Sequence, residues 1–239
     1  YVEDTSDCED SDVTINPDGD EVCDNLDNDC DGKFDDDDTS LIGASMYYLD
    51  DDADGYGDEA ETVQACTMPS GYTSDAGDCD DGDATVNPSQ VEACDAVDND
   101  CSGDIDDNAR CPCNQVNYDD SSYLYCETST SWTNALVACQ RYNYSLVTFN
   151  DKAEMYVVDY FAESLVSSST FWWIGLNDRS VEGTYTWISG ESGSSPVWAT
   201  SEPGGGTSDC VAIASLDGDY VMYDAACSSS SPYFICEAG

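Results

Sequence analysis

Residues 173–178 read Trp-Ile-Gly-Leu-Asn-Asp, a run of large apolar residues that closes on two polar ones. Short apolar runs of this kind, bounded by polar or glycine-rich segments, are typical of buried strands. Similar runs follow along the chain, so that strands are predicted at 171–176, 184–188, 210–214 and 233–237. The carboxyl-terminal part of the chain is therefore expected to contain a sheet.

Two helices are predicted upstream of these strands. Ser131 is a suitable N-cap for the first helix. The face that this helix buries is expected to consist of Trp132, Ala135, Leu136 and Cys139. Asp151 and Glu154 have the spacing of a capping box for the second helix. Its apolar residues at helical spacing are Tyr156, Val157, Tyr160, Phe161 and Leu165. These elements predict a mixed α+β domain.

This part of the chain resembles the C-type lectin-like domain. Besides 173–178, the resemblance is carried by Glu-Gly-Thr-Tyr-Thr-Trp at 182–187, Trp198, Glu202-Pro203, Asp-Cys-Val at 209–211, Asp224 and Phe-Ile-Cys-Glu at 234–237. The resemblance implies an α+β lectin-like fold. It also implies the disulfide bonds Cys139–Cys236, Cys210–Cys227 and Cys113–Cys126.

Sugar-binding members of that family hold sugar through a calcium ion bound by five side chains. Carried over residue by residue, only Glu202 and Asp224 match that ligand set, and we interpret them as a vestigial site. The other positions hold Gly204, Ser208 and Tyr223. Two carboxylates are too few for a strong calcium site, so calcium-dependent sugar binding is not expected. The tryptophans at 172, 173, 187 and 198 offer surfaces for stacking a sugar, but such residues are more often core.

Carboxylates dominate the amino-terminal part of the chain. The whole chain of 239 residues has 52 Asp plus Glu, 5 Lys plus Arg, no His and a formal charge of −47. Residues 1–110 hold 36 acidic and 2 basic side chains. This charge argues against binding to nucleic acid or to an anionic membrane, and no apolar run is long enough for membrane insertion. The lack of histidine excludes Ser-His and Cys-His catalytic pairs. Fourteen cysteines indicate an extracellular, secreted or cell-surface location, and the start at Tyr1 is expected for a mature or truncated product.

The acidic half contains an internal repeat with an offset of 71 residues, which places Asn16-Pro17 on Asn87-Pro88. We expect a partial acidic repeat at 1–44, a complete repeat at 45–110 and the lectin-like domain at 111–239. With few large apolar residues and strong repulsion between carboxylates, the repeats are expected to be irregular, loop-rich and stabilised by metal and disulfides.

The stretch 50–61 satisfies the twelve-residue calcium loop, with glycine at position 6 for the sharp turn. Its predicted ligands are Asp50, Asp52, Asp54, Tyr56, Asp58 and Glu61. Tyr56, at position 7, is expected to contribute its main-chain carbonyl, and the others their carboxylates. The flanking segments 46–49 and 62–63 look like short strands, so the paired helices that usually frame this loop are not expected.

Two further segments follow the same pattern less closely. In the first, the predicted ligands are Asp27, Asp29, Asp31, Lys33, Asp35 and Asp38. In the second they are Asp98, Asp100, Asp104 and Asp106, because Ser102 and Ala109 replace two carboxylates. That second copy is expected to bind more weakly, or to borrow ligands from Asp78, Asp81 and Asp83. Their repeat equivalents, also candidate ligands, are Asp7, Asp10 and Asp12.

The acidic half resembles the MopE-type repeats of bacterial surface proteins over 7–38 and 47–107, and it is similar in its physics to thrombospondin type 3 repeats. The name of that family refers to copper binding, but a ligand set of hard oxygens without histidine favours Ca²⁺. Adaptation to high salt also enriches acidic surfaces, yet it does not place carboxylates at alternating positions before a glycine.

The remaining cysteines allow several pairings. Their spacing favours Cys23–Cys30, Cys94–Cys101 and Cys66–Cys79. On that scheme Cys8 pairs with Cys111 or with another protomer. Asn143 lies in a glycosylation acceptor sequence, Asn-Tyr-Ser.

These patterns predict a secreted, non-enzymatic, calcium-binding surface protein. In this interpretation a spacer stiffened by several Ca²⁺ ions presents a lectin-like adhesion module to a protein or glycan partner. The alternative is a structural subunit of an extracellular fibre or matrix that self-associates through the lectin-like domain. An acidic glycosidase fits only the charge count, because no pair of carboxylates lies in an apolar setting that would separate their pKa values.

Overall fold

The computed structural model describes residues 7–166, 170–190, 192–216 and 219–238. The chain divides into two compact units. The first, called here the acidic unit, comprises the chain up to Gln90 together with 100–102. The second, called here the lectin unit, comprises 91–99 and the chain from Gly103 onward. These bounds differ from the domains expected at 1–44, 45–110 and 111–239, because part of the second repeat packs with the lectin-like part.

The acidic unit contains one small antiparallel sheet in the order β2-β1-β3. Its strands are β1 (Ser45–Leu49), β2 (Asp58–Ala65) and β3 (Tyr72–Thr73), preceded by a short 3₁₀ helix at Asp35–Asp37. Among the described residues of this unit, the buried apolar side chains are Ile15, Ala65 and Val86. So small an apolar core stabilises little by itself, so cross-links and polar contacts have to hold the unit.

Three disulfide bonds cross-link the acidic unit, and the pairings favoured by spacing are wrong. The bonds are Cys8–Cys30, Cys23–Cys66 and Cys79–Cys101. The chain from 21 to 35 wraps around the buried Glu21 carboxylate, which accepts hydrogen bonds from Asn28 N at 2.8 Å and Asp35 N at 2.9 Å. This wrapping accompanies the pairing of Cys30 with Cys8 and of Cys23 with the end of β2.

The lectin unit is an α+β fold built on an eight-stranded mixed sheet in the order β10-β9-β7-β11-β5-β4, with β6 paired to β11 and β8 to β7. Its strands are β4 (Asn114–Tyr118), β5 (Ser121–Cys126), β6 (Ser145–Leu146), β7 (Trp172–Asn177), β8 (Thr186–Trp187), β9 (Cys210–Leu216), β10 (Asp219–Ala225) and β11 (Tyr233–Ala238). The β11–β7 pairing is parallel, whereas β11 pairs antiparallel with β5, so both ends of the domain meet in one sheet.

Both predicted helices are present, as α1 (Trp132–Gln140) and α2 (Lys152–Leu165). Ser131 caps α1, and Asp151 caps α2 by accepting from Ala153 N and Glu154 N. The Glu154 carboxylate bonds to Asn150 N at 2.7 Å, one residue before the position that a capping box uses. The predicted apolar face of α2 is wrong, since Tyr156 and Tyr160 are exposed. The helix instead buries Met155, Val158, Asp159 and Ala162 along with Glu154.

Tryptophans form the centre of the lectin unit. Trp132, Trp172 and Trp173 are almost completely buried, and Trp187 is 7 % exposed. The indole of Trp132 donates to Ile174 O at 2.7 Å, and that of Trp173 donates to Thr130 O at 2.8 Å. These side chains serve the core, not a sugar-stacking surface. The three disulfides implied by the lectin resemblance are present, as Cys139–Cys236, Cys210–Cys227 and Cys113–Cys126.

The end of the second repeat is built into the lectin unit through Asp106. This carboxylate is fully buried and accepts from Asp95 N at 3.0 Å and from Ala96 N. It also accepts from the Tyr144 hydroxyl, which contacts Ser122 as well. Burial raises the pKa of Asp106, while these hydrogen bonds act in the opposite sense. A Cys94–Cys111 disulfide fixes the same segment, where spacing had favoured Cys94–Cys101.

The buried Asp159 of α2 makes the stability of the lectin unit depend on pH. Burial, with a smaller contribution from Glu163, raises the pKa of Asp159 to about 7. Tyr125 of β5 and Tyr220 of β10 face the same carboxyl. Since the folded state favours the protonated form, this contribution is present at pH 4 and is lost as the pH rises through 7.

We expect Asp159→Asn to raise the unfolding free energy at pH 8 by up to about 4 kcal/mol and to leave it nearly unchanged at pH 4. Thermal unfolding of the calcium-loaded chain at both pH values checks this. Glu163→Gln, on the same helix but partly exposed, is the control and should have a much smaller effect. A gain of equal size at both pH values would contradict the assignment.

Candidate metal centre

The loop at 27–32, called here the first loop, brings together carboxylates from two parts of its repeat. Oxygens of Glu21, Asp27 and Asp29 lie within 4.8 Å of one another. Those of Asp29, Asp31 and Asp38 form a second group of the same size, so Asp29 belongs to both. Glu21 was not among the predicted ligands, although its match to Glu92 in the repeat was a usable signal.

Main-chain amides aim the carboxylates of the first loop. Asp31 N donates to both Asp27 Oδ1 and Asp29 Oδ1 at 3.1 Å, and Gly32 N donates to Asp27 Oδ2 at 3.0 Å. Gly32 has φ +94°, a conformation that strongly favours glycine. Asp38 is buried, and its Oδ2 has no hydrogen-bond partner among the described residues. Hydrogen bonds from Ser40, first from its main chain, lower the pKa of Asp38.

One predicted ligand of the first loop has another contact, and the side chain at position 7 forms an ion pair. The Asp35 carboxylate accepts from Asp24 N and Asn25 N, each at 3.0 Å, and therefore braces the neighbouring turn. The Lys33 ammonium lies 3.8 Å from Asp31. That contact is the one ion pair found among the described residues.

The loop at 50–57, called here the central loop, repeats the geometry of the first loop. Oxygens of Asp50, Asp52 and Asp54 lie within 4.8 Å of one another. Asp54 N donates to both Asp50 Oδ1 and Asp52 Oδ1 at 3.1 Å, and Tyr56 N donates to Asp54 Oδ1 at 2.9 Å. Gly55 has φ +103°. The same amides at the same offsets thus aim three alternating carboxylates in both loops.

The last two predicted ligands of the 50–61 pattern lie on β2. Asp58 Oδ1 accepts from Ala60 N at 2.8 Å. Glu61 is exposed, at an irregularity where Tyr48 pairs with Thr62 while the adjacent Leu49 pairs with Asp58. Neither carboxylate belongs to the described group around Asp52. The position-12 carboxylate is therefore outside that group, and its role as a ligand stays a prediction.

The third predicted loop, 98–109, is divided between the two units, since Asp100 belongs to the acidic unit and Asp98 to the lectin unit. Within each unit the local contacts follow the first loop, with Gly103 N donating to Asp98 Oδ2 at 2.8 Å and Ser102 N to Asp100 Oδ1 at 3.1 Å. Asp104 is exposed. Asp106 acts as the buried brace of the lectin unit described above.

The remaining acidic candidates separate into turn caps and buried groups. Asp12 and Asp83 each accept from the amide and hydroxyl of the threonine two residues later. Asp7 caps Glu9 N in the same way, and Asp10 is exposed. Asp78 is buried and Asp81 is half-buried, and both face the central loop.

The vestigial lectin site has its carboxylates occupied by protein donors. Asp224 Oδ2 accepts from Gly205 N at 2.8 Å and from the Tyr185 hydroxyl at 3.2 Å. A hydrogen bond with Asp224, together with burial, raises the pKa of Glu202. Burial acts to raise the pKa of Asp224 too, but its hydrogen bonds outweigh this and lower it. The oxygens of both carboxyls thus have hydrogen-bond partners within the protein.

Asn143 is exposed in a left-handed conformation, with φ +59°. Its side-chain nitrogen donates to Asp95 O at 3.0 Å. Glycosylation replaces one of the two hydrogens on that nitrogen, so the other hydrogen is the one that can make this bond. Glycosylation of Asn143 stays a prediction.

Comparison with known families confirms both resemblances. A model of the Lectin C-type domain matches residues 128–238, and a MopE-type metal-binding motif matches 7–36 and 78–107. The chain therefore contains a metal-binding motif in two copies followed by a C-type lectin domain. Homologues of that domain bind carbohydrate or protein, and nothing in the comparisons indicates catalysis.

The relatives are distant. Human C-type lectin domain family 17 member A is 31 % identical, over 53 % of this chain and 32 % of its own length. Echinoidin of Heliocidaris crassispina is 26 % identical over 53 % of this chain and 95 % of its own. The crystal structure of human lithostathine is 26 % identical, covers 54 % of this chain and 90 % of its own, and has a TM-score of 0.49. The chain matches about a third of the length of the human relative.

The helices do not indicate a membrane span. In the part of the chain that the structure describes, none is both long and apolar enough to cross a bilayer.

We expect chelation of calcium to loosen the acidic unit while the lectin unit stays folded. The physical reason is that clustered carboxylates repel one another when no cation neutralises them. Hydrogen exchange, read by mass spectrometry with and without chelator, should show faster exchange in 21–61 and little change in β7, β9 and β11. Equal protection of 21–61 in both conditions would contradict this.

We expect the vestigial lectin site to hold no stable calcium. Glu202→Gln and Asp224→Asn should leave the number of bound ions unchanged in native mass spectrometry. Asp54→Asn in the central loop is the matched control and should lower it. Loss of one ion from either lectin-site variant would show that the site is occupied.

Proposed function

We propose that this chain, in which metal-binding repeats precede a C-type lectin domain, is an extracellular, non-enzymatic calcium-binding protein. The repeats act as a spacer that becomes rigid when calcium is bound. The lectin domain acts as the module that binds a glycan or a protein surface. The seven disulfides and the acidic composition support an oxidising, extracellular location.

The observation that carries the proposal is the shared geometry of the first and central loops. In both, one amide bridges two carboxylates, a glycine takes the left-handed conformation, and three acidic side chains bring oxygens within 4.8 Å of one another. The central loop supplies all three from alternating positions, whereas the first loop supplies Asp27 and Asp29 and adds Glu21 from outside the loop. Oxygen ligands in a flexible loop suit Ca²⁺, whereas Mg²⁺ demands a tighter octahedral site and copper prefers nitrogen or sulfur. Bound calcium supplies positive charge, and the residues of the chain supply the oriented oxygens.

The same geometry explains how calcium binding stiffens the repeats. The apolar core of the acidic unit is too small to oppose the repulsion among its carboxylates. A cation between Glu21, Asp27 and Asp29 links two segments of one repeat, so binding energy becomes folding energy. Such a spacer is extended by calcium and softened by its removal.

The lectin domain supports binding of a partner without lectin-type calcium. Its vestigial site keeps only Glu202 and Asp224, which are hydrogen-bonded within the protein. We therefore propose that partner binding by this domain does not depend on calcium in that site. A glycan that is recognised here is held by hydrogen bonds and packing alone.

Calcium titration of the whole chain by calorimetry and native mass spectrometry tests the proposal. We expect at least two bound Ca²⁺ ions, one for each of the two loops, and no displacement by an equal concentration of Mg²⁺. Asp29→Asn and Asp52→Asn should each remove one ion. Absence of binding above a non-specific background, or displacement of calcium by copper, would refute it.

A further inference from the structure

We propose that the calcium ion of the central loop is held jointly by the loop and by Asp78 and Asp81, which lie beyond β3, instead of being closed by Glu61. The inference rests on the proposed calcium binding and adds the identity of the ligands that complete the site. It makes the central site a clamp between two segments of the repeat that are separated in sequence.

The main chain brings the segment after β3 against the central loop. Gly77 N and Asp78 N both donate to Gly57 O, at 3.2 and 3.3 Å. Gly57 also forms a parallel bridge with Ala76. On its other side Gly57 packs against β1, where an added Cβ atom would lie 2.3 Å from Leu49 O. The approach is therefore fixed by the backbone and does not depend on side chains alone.

Side-chain contacts extend the same approach on both sides of Asp78. Asp51 N donates to Asp81 Oδ1 at 3.1 Å. The amide of Asn87 donates to Asp54 Oδ2 at 2.6 Å. The segment from 77 to 87 thus contacts the central loop at Asp81 and again at Asn87.

The Asp78 side chain shows that the arrangement needs a cation. It is 8 % exposed; Oδ1 accepts from Asp80 N at 2.8 Å, and Oδ2 has no hydrogen-bond partner among the described residues. Burial raises the pKa of Asp78, and the charges of Asp54, Asp52 and Asp81 raise it further. Asp52 Oδ2 is likewise buried and without a partner. Buried carboxylate oxygens that face one another are strongly unfavourable without a positive charge.

No basic side chain of the acidic unit supplies that charge. Lys33 is the only Lys or Arg in residues 1–90, and it pairs with Asp31 in the first loop. The chain has no histidine. In the charged state of the group around Asp78, we infer that the neutralising charge comes from a bound ion.

The ligand set selects calcium. Five carboxylates, from Asp50, Asp52, Asp54, Asp78 and Asp81, together with the main-chain carbonyl expected at position 7, make an all-oxygen shell of the size that Ca²⁺ takes. Glu61 is exposed on β2, whereas Asp78 is buried and Asp81 is half-buried with its Oδ1 bonded to Asp51 N of the central loop. The carboxylates of Asp78 and Asp81 thus complete the ligand shell, as the glutamate at position 12 does in a calcium loop that supplies all of its own ligands.

Asp78→Asn is the direct test. The substitution keeps the acceptor for Asp80 N and removes the charge. Native mass spectrometry should show one ion fewer than wild type, or calorimetry should show one site weakened at least about tenfold. Asp81→Asn should weaken the same site, and it carries the test if Asp78→Asn fails to form the Cys79–Cys101 disulfide.

Two variants in the same region serve as controls. Asp83→Asn, whose carboxylate caps Thr85 at the surface, should leave the ion count and affinities unchanged. Glu61→Gln should change the affinity by less than about threefold. Loss of the ion in Glu61→Gln with full retention in Asp78→Asn and Asp81→Asn would overturn the inference. A wild-type chain that binds no calcium would instead overturn the proposed function.

Discussion

The acidic unit has to hold many carboxylates close together with almost no positive charge of its own, and its structure follows from that constraint. Main-chain amides orient these carboxylates, because each amide donates to carboxylates two or four residues earlier in the chain. Such bonds aim the oxygens but do not neutralise them. In the function proposed here an ion neutralises them, so that metal binding and folding are coupled in this unit.

Disulfide bonds also hold the acidic unit together, and their pattern follows the repeat. Cys8–Cys30 and Cys79–Cys101 are equivalent bonds, each spanning 22 residues within one copy. The cysteine at the other equivalent position joins what comes next: Cys23 pairs with Cys66 at the end of β2, and Cys94 pairs with Cys111 just before β4. Each copy is therefore cross-linked internally by one disulfide, and a second disulfide links it to the segment that follows.

Prediction from sequence succeeded where a short pattern has a local cause and failed where the cause is distant. The caps at Ser131 and Asp151 and the strands β7, β8, β9 and β11 come from local preferences, whereas β4, β5, β6 and β10 were not predicted. The face of α2 was predicted from its aromatic residues, yet Tyr156 and Tyr160 are exposed while Asp159 is buried. Cys23 and Cys30 are close in sequence, but the wrapping of the chain around Glu21 separates them. Glu21 was recognised as part of the repeat and not as a member of a carboxylate group.

The sequence by itself determined the alternating carboxylates followed by glycine, because spacing along the chain is enough to specify such a pattern. It also identified the α+β lectin fold and the disulfides Cys139–Cys236, Cys210–Cys227 and Cys113–Cys126, through residues that resemble the C-type lectin-like domain. Only the tertiary structure decided which carboxylates meet. It placed Asp106 in the core of the lectin unit, left Glu61 in solvent and brought Asp78 to the central loop. The reason is physical: burial and the approach of distant carboxylates depend on long-range chain crossings, such as the one at Gly57, that no local pattern records.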